Sequence, residues 1–408
     1  MNAQAQTGRE EGLARSSGLL GLFESVFRKQ IDRIDAGIAE GSLSLTLPDG
    51  SARVLGGHAA GPAATVDLRS WRPLLRLALS GSIGWYIGWT FGEWASPDPV
   101  QVFALFSRNR AALAAQARAR GLSRALKRWW HRLRRNSHFG SRRNIEFHYD
   151  LGNDFYRLWL DKGMTYSSAL FTAPGETLEA AQAAKLRAML DRTATQAGET
   201  ILEIGCGWGS FAELALAEGR RIRGITLSTE QKAWAEARNP GGKFTLTDYR
   251  DVEGSYDAVV SIEMAEAVGQ EYWPAYLEAI ARALKPGRRA ALQIITFDDA
   301  MFEGYAANVD FIQRFIFPGG LLISESRFRA IAAENGLAWR DQRNFGASYA
   351  ETLRQWRESF DATAAQGALP AQFDRKFIDL WRYYLMYCEG GFRGGGIDVV
   401  QVTLIKES

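Results

Sequence analysis

Cysteine and histidine are both scarce in this chain of 408 residues, which holds 2 of the first and 4 of the second. Cys206 and Cys388 make neither a disulfide framework nor a zinc-binding spacing, so a stapled secreted scaffold is excluded and a reducing, cytoplasmic setting is expected. His58, His131, His138 and His148 are too scattered to suggest a metal site. Long hydrophobic runs are missing too. The most apolar interval, residues 74–94, is interrupted by Arg76 and by repeated Gly and Ser, and is not read as a membrane span. Residues 1–18 are polar and mixed in charge, so no signal peptide is expected. The most localised absence is of negative charge. No Asp or Glu lies between Asp98 and Glu146, although the net charge of the chain is only +3.

Arginine and lysine fill that acid-free interval, a pattern that meets phosphate on lipid headgroups or nucleic acid. Over residues 121–135, Leu122, Ala125, Leu126, Trp129, Trp130 and Leu133 recur at helical spacing. Arg124, Lys127, Arg128, Arg132, Arg134 and Arg135 occupy the other face. A basic amphipathic helix with tryptophan on its apolar side suits an anionic membrane surface. The bland alternative is a linker helix with a solvated basic face.

A hydrophobic content of 46% is ample for packed cores, and the length suggests two or three domains. Residues 19–39 have helical spacing. Residues 42–60 alternate around Pro48, Asp49 and Gly50, which predicts a hairpin. Residues 66–79 read as a strand and the start of a helix. Trp85, Trp89 and Trp94 follow, in a stretch whose aromatic content suits a membrane interface. This region carries no catalytic motif, so residues 1–120 are expected to form a smaller α+β accessory domain that binds lipid. Residues 121–143 are the linker helix, and residues 144–408 the catalytic domain. Within the last, strand-like segments near residues 200–204, 221–227, 257–262, 290–295 and 399–405 alternate with helical ones such as 179–190. That alternation predicts an α/β doubly wound sheet.

The chain is organised around T-I-L-E-I-G-C-G-W-G-S-F, residues 200–211. A short apolar run is followed by Gly205, Gly207 and Gly209 at alternate positions and then by an apolar helix. Strand, glycine turn and helix bring backbone amides to a cofactor at the carboxyl edge of an open sheet. The spacing is G-x-G-x-G with Glu203 two places before it, whereas a dinucleotide site wants G-x-G-x-x-G. It resembles motif I of class I S-adenosylmethionine methyltransferases, whose fold is Rossmann-like. A glycine turn that merely closes a βα unit is the alternative. Beyond the next strand, Thr226 and Gln231 are candidates for the cofactor's ribose or carboxylate. Ser228 and Gln231 also fit a capping box, the local alternative. Asp248, Tyr249 and Arg250 follow a further short strand, where the adenine is expected. In S-I-E-M-A-E-A-V-G, residues 261–269, one helical turn would bring Glu263 and Glu266 to one face. Glu266 is the better candidate for chemistry, and Glu263 reads as a surface or capping residue.

Several segments together resemble the cyclopropane fatty acid synthases, in the order seen there: N-I-E-F-H-Y-D-L-G-N-D-F-Y from Asn144, M-T-Y-S-S-A-L-F from Met164, the glycine motif, E-M-A-E-A-V-G, F-I-F-P-G-G from Phe315, F-G-A-S-Y-A-E-T-L-R-Q-W from Phe345 and Y-Y-L-M-Y-C-E-G-G-F-R from Tyr383. The match is close over residues 144–408 and weaker before them, where G-E-W-A-S-P-D-P from Gly92 looks like a family segment. The resemblance implies transfer of a methyl group from S-adenosylmethionine to a cis double bond of a phospholipid acyl chain. The product is a cyclopropane or a methyl- or methylene-branched chain. It implies cofactor contacts from Tyr166 and Ser167 beside those already named, and a site that excludes water, since water would trap a carbocation. Tyr349, Phe171 and Phe317 are expected to line it with aromatic faces.

In the family a bound bicarbonate serves as the base, held by main-chain amides and by glutamate, histidine and tyrosine. Carried over residue by residue, the glutamate is Glu266, the tyrosine Tyr349 and a main-chain contact Ile295. Ser168 stands where a cysteine is usual, Gln293 where a histidine is usual, and Ala267 beside the glutamate where a histidine is common. Serine keeps its amide and glutamine keeps a donor, so an anion could still be held. The implied partners are unsaturated phospholipids and an anionic membrane surface. The implied location is cytoplasmic, peripheral to the inner face of the membrane, with a homodimer as an open expectation. A methyltransferase of soluble small molecules and a non-enzymatic lipid-binding protein are the competing readings. A nucleic-acid methyltransferase is disfavoured, because E-M-A-E stands where an acidic-proline-aromatic motif would accept an extruded base.

Overall fold

The computed structural model describes residue 20 and residues 23–117 and 151–407. The basic segment 121–135 and the first part of the motif beginning at Asn144 lie outside the described residues. The chain divides into two compact units. The first takes in residues 1–129, 307–316 and 356–396, and the second residues 130–306, 317–355 and 397–408. This grouping differs from the linear three-part division expected from the sequence, because segments distant along the chain complete the first unit.

The first unit has a four-stranded sheet in the order β2-β1-β3-β4, with β1 Ser42–Thr46, β2 Ala52–Gly56, β3 Ala63–Leu68 and β4 Trp94–Ala95. The expected hairpin is present. β1 and β2 are antiparallel, and Leu47 and Gly50 close the turn while Asp49 accepts from the Ser51 amide at 2.9 Å. The helix Arg72–Thr90 follows. The tryptophans of this helix and of β4 do not face outward. Trp85, Trp89 and Trp94 are all buried, with Trp85 stacked on Trp94 at 4.4 Å. Tyr86 packs against Phe311, Phe315 and Tyr383, so the aromatic stretch forms core rather than interface. Leu79 and Phe91 are strongly exposed, at 62% and 59%, and Leu75 is exposed at 37%.

The second unit is the doubly wound sheet. Its strands are β5 Thr200–Ile204, β6 Arg221–Thr226, β7 Lys243–Leu246, β8 Tyr256–Ile262, β9 Leu284–Phe297, β10 Ile323–Ser324, β11 Leu337–Asn344 and β12 Ile397–Lys406. The order is β11-β12-β9-β8-β5-β6-β7, with β10 beside β9. β9, β8, β5, β6 and β7 run parallel, and β12 is antiparallel to both β9 and β11. β8 is buried over all but its last residue, as a strand covered on both faces must be. The chain winds one way from β5 to β7 and the other way from β8 to β9. The switch point therefore lies between the carboxyl ends of β5 and β8, where open α/β sheets bind ligands. The core on one face of the sheet is built largely by Trp273, Tyr276, Leu277 and Ile280 of the helix Trp273–Ala283.

Candidate active site

β5 delivers Glu203 and then the glycine turn. Gly205, Gly207 and Gly209 have φ of 77°, 52° and 82°, the left-handed region that glycine enters without steric cost. The turn is pinned by the Gly205 and Cys206 amides, which both donate to the Ile225 carbonyl on β6. Gly209 caps the helix Ser210–Ala217. A Cβ there would collide with Asn239 Nδ2, whereas a Cβ at Gly207 would meet no protein atom within 4 Å. Gly207 thus faces open space and Gly209 serves packing.

A cavity opens at this edge. Its wall includes Tyr166, Ser167, Glu203, Gly205, Gly207, Thr226, Gln231 and Tyr249, all singled out in the sequence. Gly209 and Arg250 are not part of the wall. Arg250 instead pairs with Asp248, which does line it, at 2.6 Å. The expected capping box is only half formed. Ser228 Oγ accepts from the Gln231 amide at 3.2 Å, but Gln231 Oε1 accepts from Thr226 Oγ1 at 2.9 Å instead of reaching back.

The residues fit S-adenosylmethionine. Glu203 Oε2 is buried with no hydrogen-bond partner among the described residues, which leaves an acceptor for a hydroxyl or ammonium group. Main-chain atoms around Gly207 can approach a ligand closely.

Behind the cavity wall stands a cluster that the sequence did not arrange correctly. Glu263 and Glu266 do not share a helix face. Glu263 sits in the turn after β8 with φ of 51°, and Glu266 lies in the short helix Ala265–Val268. Glu263, expected at the surface or in a cap, is the hub. Its Oε1 accepts from the Ser168 amide at 2.8 Å and from Gln293 Nε2 at 2.7 Å, and its Oε2 accepts from Tyr349 Oη at 2.9 Å. Its own amide donates to the Gln293 carbonyl at 2.8 Å. Ser168, Gln293 and Tyr349 are therefore gathered as expected, but around Glu263. The Ile295 amide donates to Glu266 Oε1, and Glu266 Oε2 has no partner among the described residues.

Gln293 and Ile295 come from β9, which pairs Gln293 with Ile262 at the end of β8. Gln401 Nε2 on β12 donates to Gln293 Oε1 at 3.0 Å, which turns the Gln293 amide nitrogen toward Glu263. Tyr349 comes from the start of the helix Gly346–Ala365, where Ser348 and Thr352 accept from the Phe171 and Ala169 amides. These bonds tie the segment around Ser168 to that helix.

Lys185, on the helix Leu178–Thr193, was not foreseen. It is fully buried in the cavity wall and donates to Ser167 Oγ at 2.7 Å. Desolvation pulls it down to about 8 against the upward pull of Glu263, Asp161 and Glu203. Burial raises Glu203 well above the carboxylate range, with Lys185 opposing. Burial also raises Glu263, opposed by the Ser168 amide, Gln293, Lys185 and Tyr349. Glu266 is pushed up to about 8 by burial and then by the charge on Glu263. The donors around Glu263 favour its charged form against burial, and Glu266, raised to about 8, is the carboxyl that holds its proton at neutral pH. One signal for Glu263 was available in the sequence: a carboxylate directly after a strand sits at the ligand-binding edge of a doubly wound sheet.

Known proteins share this fold and much of this sequence. The family described as mycolic acid cyclopropane synthetase matches residues 136–402. The tuberculostearic acid methyltransferase UfaA1 of Mycobacterium tuberculosis is 39% identical over 81% of this chain and 81% of its own. The cyclopropane-fatty-acyl-phospholipid synthase of Escherichia coli is 36% identical over 64% of this chain and 66% of its own. The solved mycolic acid cyclopropane synthase CmaA1, complexed with SAH and CTAB, superposes with a TM-score of 0.60 at 30% identity, covering 65% of this chain and 98% of that one. The glycine turn at the switch point of a doubly wound sheet therefore stands in a chain that matches lipid-modifying enzymes over most of its length, and the chain belongs to the mycolic acid cyclopropane synthetase family of S-adenosylmethionine-dependent lipid methyltransferases.

Proposed function

We propose that this enzyme methylates carbon at the cis double bond of an unsaturated phospholipid acyl chain, giving a cyclopropane or a branched chain. The carrying observation is the buried Glu263–Tyr349–Gln293 cluster, which adjoins the cofactor cavity through Glu263. An alkene is a weak nucleophile, and its methylation leaves a cation that must lose a proton away from water. A desolvated carboxylate with fixed donors meets that need.

Bound S-adenosylmethionine supplies an electrophilic methyl group on a positively charged sulfur. The glycine turn, Glu203, Thr226, Gln231 and Tyr249 are the residues that would hold it. Glu263 and Glu203, once ionised, exert an attractive field on positive charge in the cavity, moderated by Lys185. Tyr349 and Gln293 keep the Glu263 carboxylate oriented.

A phospholipid surface as the source of substrate is favoured by the basic segment 121–135 and by exposed Leu79 and Phe91. The proposed mode is peripheral, on the cytoplasmic face, and no helix among the described residues is long and apolar enough to cross a membrane. The name of the E. coli relative, cyclopropane-fatty-acyl-phospholipid synthase, supports the same substrate class.

The test supplies methyl-labelled S-adenosylmethionine with vesicles of unsaturated phospholipid, saturated phospholipid, free unsaturated fatty acid or RNA. Label in the unsaturated phospholipid, with the acyl chain heavier by one methylene unit, is the expected result. Label confined to free fatty acid, to a soluble acceptor or to RNA, or found nowhere, would overturn the assignment.

A further inference from the structure

The resemblance to cyclopropane synthases implies a bound bicarbonate as the final base, and the residues present do not fit it. The donors that would hold the anion are already engaged by side chains. The Ser168 amide, Gln293 Nε2 and Tyr349 Oη all converge on the Glu263 carboxylate, at 2.8, 2.7 and 2.9 Å. The Ile295 amide is taken by Glu266. A dissolved anion entering this space would meet a carboxylate rather than a set of waiting donors.

From this arrangement we propose that the Glu263 carboxylate is itself the proton acceptor of the reaction, a base built into the chain in place of bicarbonate. The inference rests on the reaction proposed above. Three further observations support it. Glu263 adopts φ of 51°, a conformation that costs a residue with a Cβ roughly 1–2 kcal/mol and that persists where surrounding structure enforces it. Here the enforcement is the bond from its amide to the Gln293 carbonyl at 2.8 Å. Glu263 is also part of the cofactor cavity wall, together with the residues of the glycine turn. Finally, Glu266 is held neutral by burial and by the neighbouring charge, so it does not compete for the proton, and Lys185 helps Glu263 to remain ionised.

The electron count closes. The olefin's π pair forms the new bond to the methyl carbon while the sulfur–methyl bond breaks with its pair left on sulfur, and the adjacent chain carbon becomes cationic. The C–H pair of the added methyl then closes the ring onto that carbon, and its proton passes to a Glu263 carboxylate oxygen. If a hydride shifts first, loss of the methyl proton to the same oxygen gives a methylene branch. One proton leaves in either case, with no oxidant or reductant.

The experiment compares the intact enzyme with Glu263→Gln and Glu263→Gly, each checked for its melting temperature. Turnover of the intact enzyme in buffer stripped of carbon dioxide should not change when bicarbonate is added. Glu263→Gln should lose about a hundredfold or more in turnover, the usual weight of a general base, while its affinity for S-adenosylhomocysteine by calorimetry stays the same. Glycine suits the local φ and leaves the donors facing an empty space. Isotope-labelled bicarbonate followed by NMR should therefore bind Glu263→Gly and not the intact protein, and bicarbonate or formate should restore part of that variant's turnover. The proposal is overturned if the intact protein binds labelled bicarbonate or needs it for turnover, or if folded Glu263→Gln keeps a rate near that of the intact enzyme. Should Glu263→Gly fail to fold, those two results still decide. Failure of the lipid assignment is separately visible, as an intact enzyme that labels no unsaturated phospholipid even with bicarbonate present.

Discussion

The Tyr349 hydroxyl donates to Glu263 Oε2 across 86 residues of sequence, at 2.9 Å, in a part-buried bond whose tyrosine is itself buried. A hydrogen bond to a carboxylate favours its charged form, so Tyr349 acts with the Ser168 amide, Gln293 and Lys185 against the desolvation that raises Glu263. Tyr349→Phe keeps the ring and removes the bond. Turnover should fall by roughly 10- to 100-fold, the cost expected when a charged group loses a donor worth about 1.5–3 kcal/mol. The acid limb of the kcat profile should also move to higher pH, a shift that a purely structural role for Tyr349 would not produce.

Glu266 gives a pH-dependent stability. Its folded-state pKa is raised to about 8 from an ordinary 4.5, so the folded protein binds a proton that the unfolded chain releases between those values. Stability from this group is complete below about pH 4.5 and is lost as pH rises toward 8. Glu266→Gln removes the titration. The variant should gain stability relative to the parent, by on the order of a few kcal/mol, between pH 5 and pH 8. Urea denaturation at the two pH values measures it.

Lys185 balances buried carboxylates at Asp161, Glu203 and Glu263. Removing one member of such a group leaves uncompensated charge in a dry interior. Lys185→Met should lower unfolding free energy by about 3–5 kcal/mol, even though methionine matches the length of the side chain. Chemical denaturation checks the size.

The glycine turn separates packing from ligand approach. Gly209→Ala would force a Cβ against Asn239 Nδ2 at a φ of 82° and should lower the melting temperature, with a cost of about 1–3 kcal/mol. Gly207→Ala meets no protein atom and should be the milder change in stability, but it should weaken S-adenosylhomocysteine binding measured by calorimetry.

The frame of the second unit was legible because its signals are local. Residues 200–211 carry an apolar strand, a turn that only glycine suits at repeated positive φ, and a helix start, all within a few residues of each other. The hairpin around Asp49 and Gly50 was equally local. The resemblance named residues that the structure places in two bonded sets: Ser168, Gln293 and Tyr349 on Glu263, and Ile295 on Glu266. The centre of the first set was not legible. Glu263 follows an ordinary strand, and nothing in S-I-E-M-A-E announces a left-handed backbone that turns the carboxylate inward. Lys185 sits in an alanine-rich helix where a lysine normally reads as solvated, and its burial depends on carboxylates from other elements. Trp85, Trp89 and Trp94 looked suited to a membrane interface because composition does not reveal which partner covers them. The aromatic groups that pack on the same helix, Phe311, Phe315 and Tyr383 among them, lie more than two hundred residues away.

Glu203 has a thermodynamic corollary. Its Oε2 is buried without a partner among the described residues, and burial keeps its proton on well above the usual carboxylate range. A cationic ligand entering the cavity reverses that preference, because the ionised form is the better neighbour for positive charge. Uptake of the ligand is then coupled to release of a proton into the medium. The apparent binding enthalpy should accordingly vary with the ionisation heat of the buffer, and affinity should climb with pH until the carboxyl is already ionised in the empty protein.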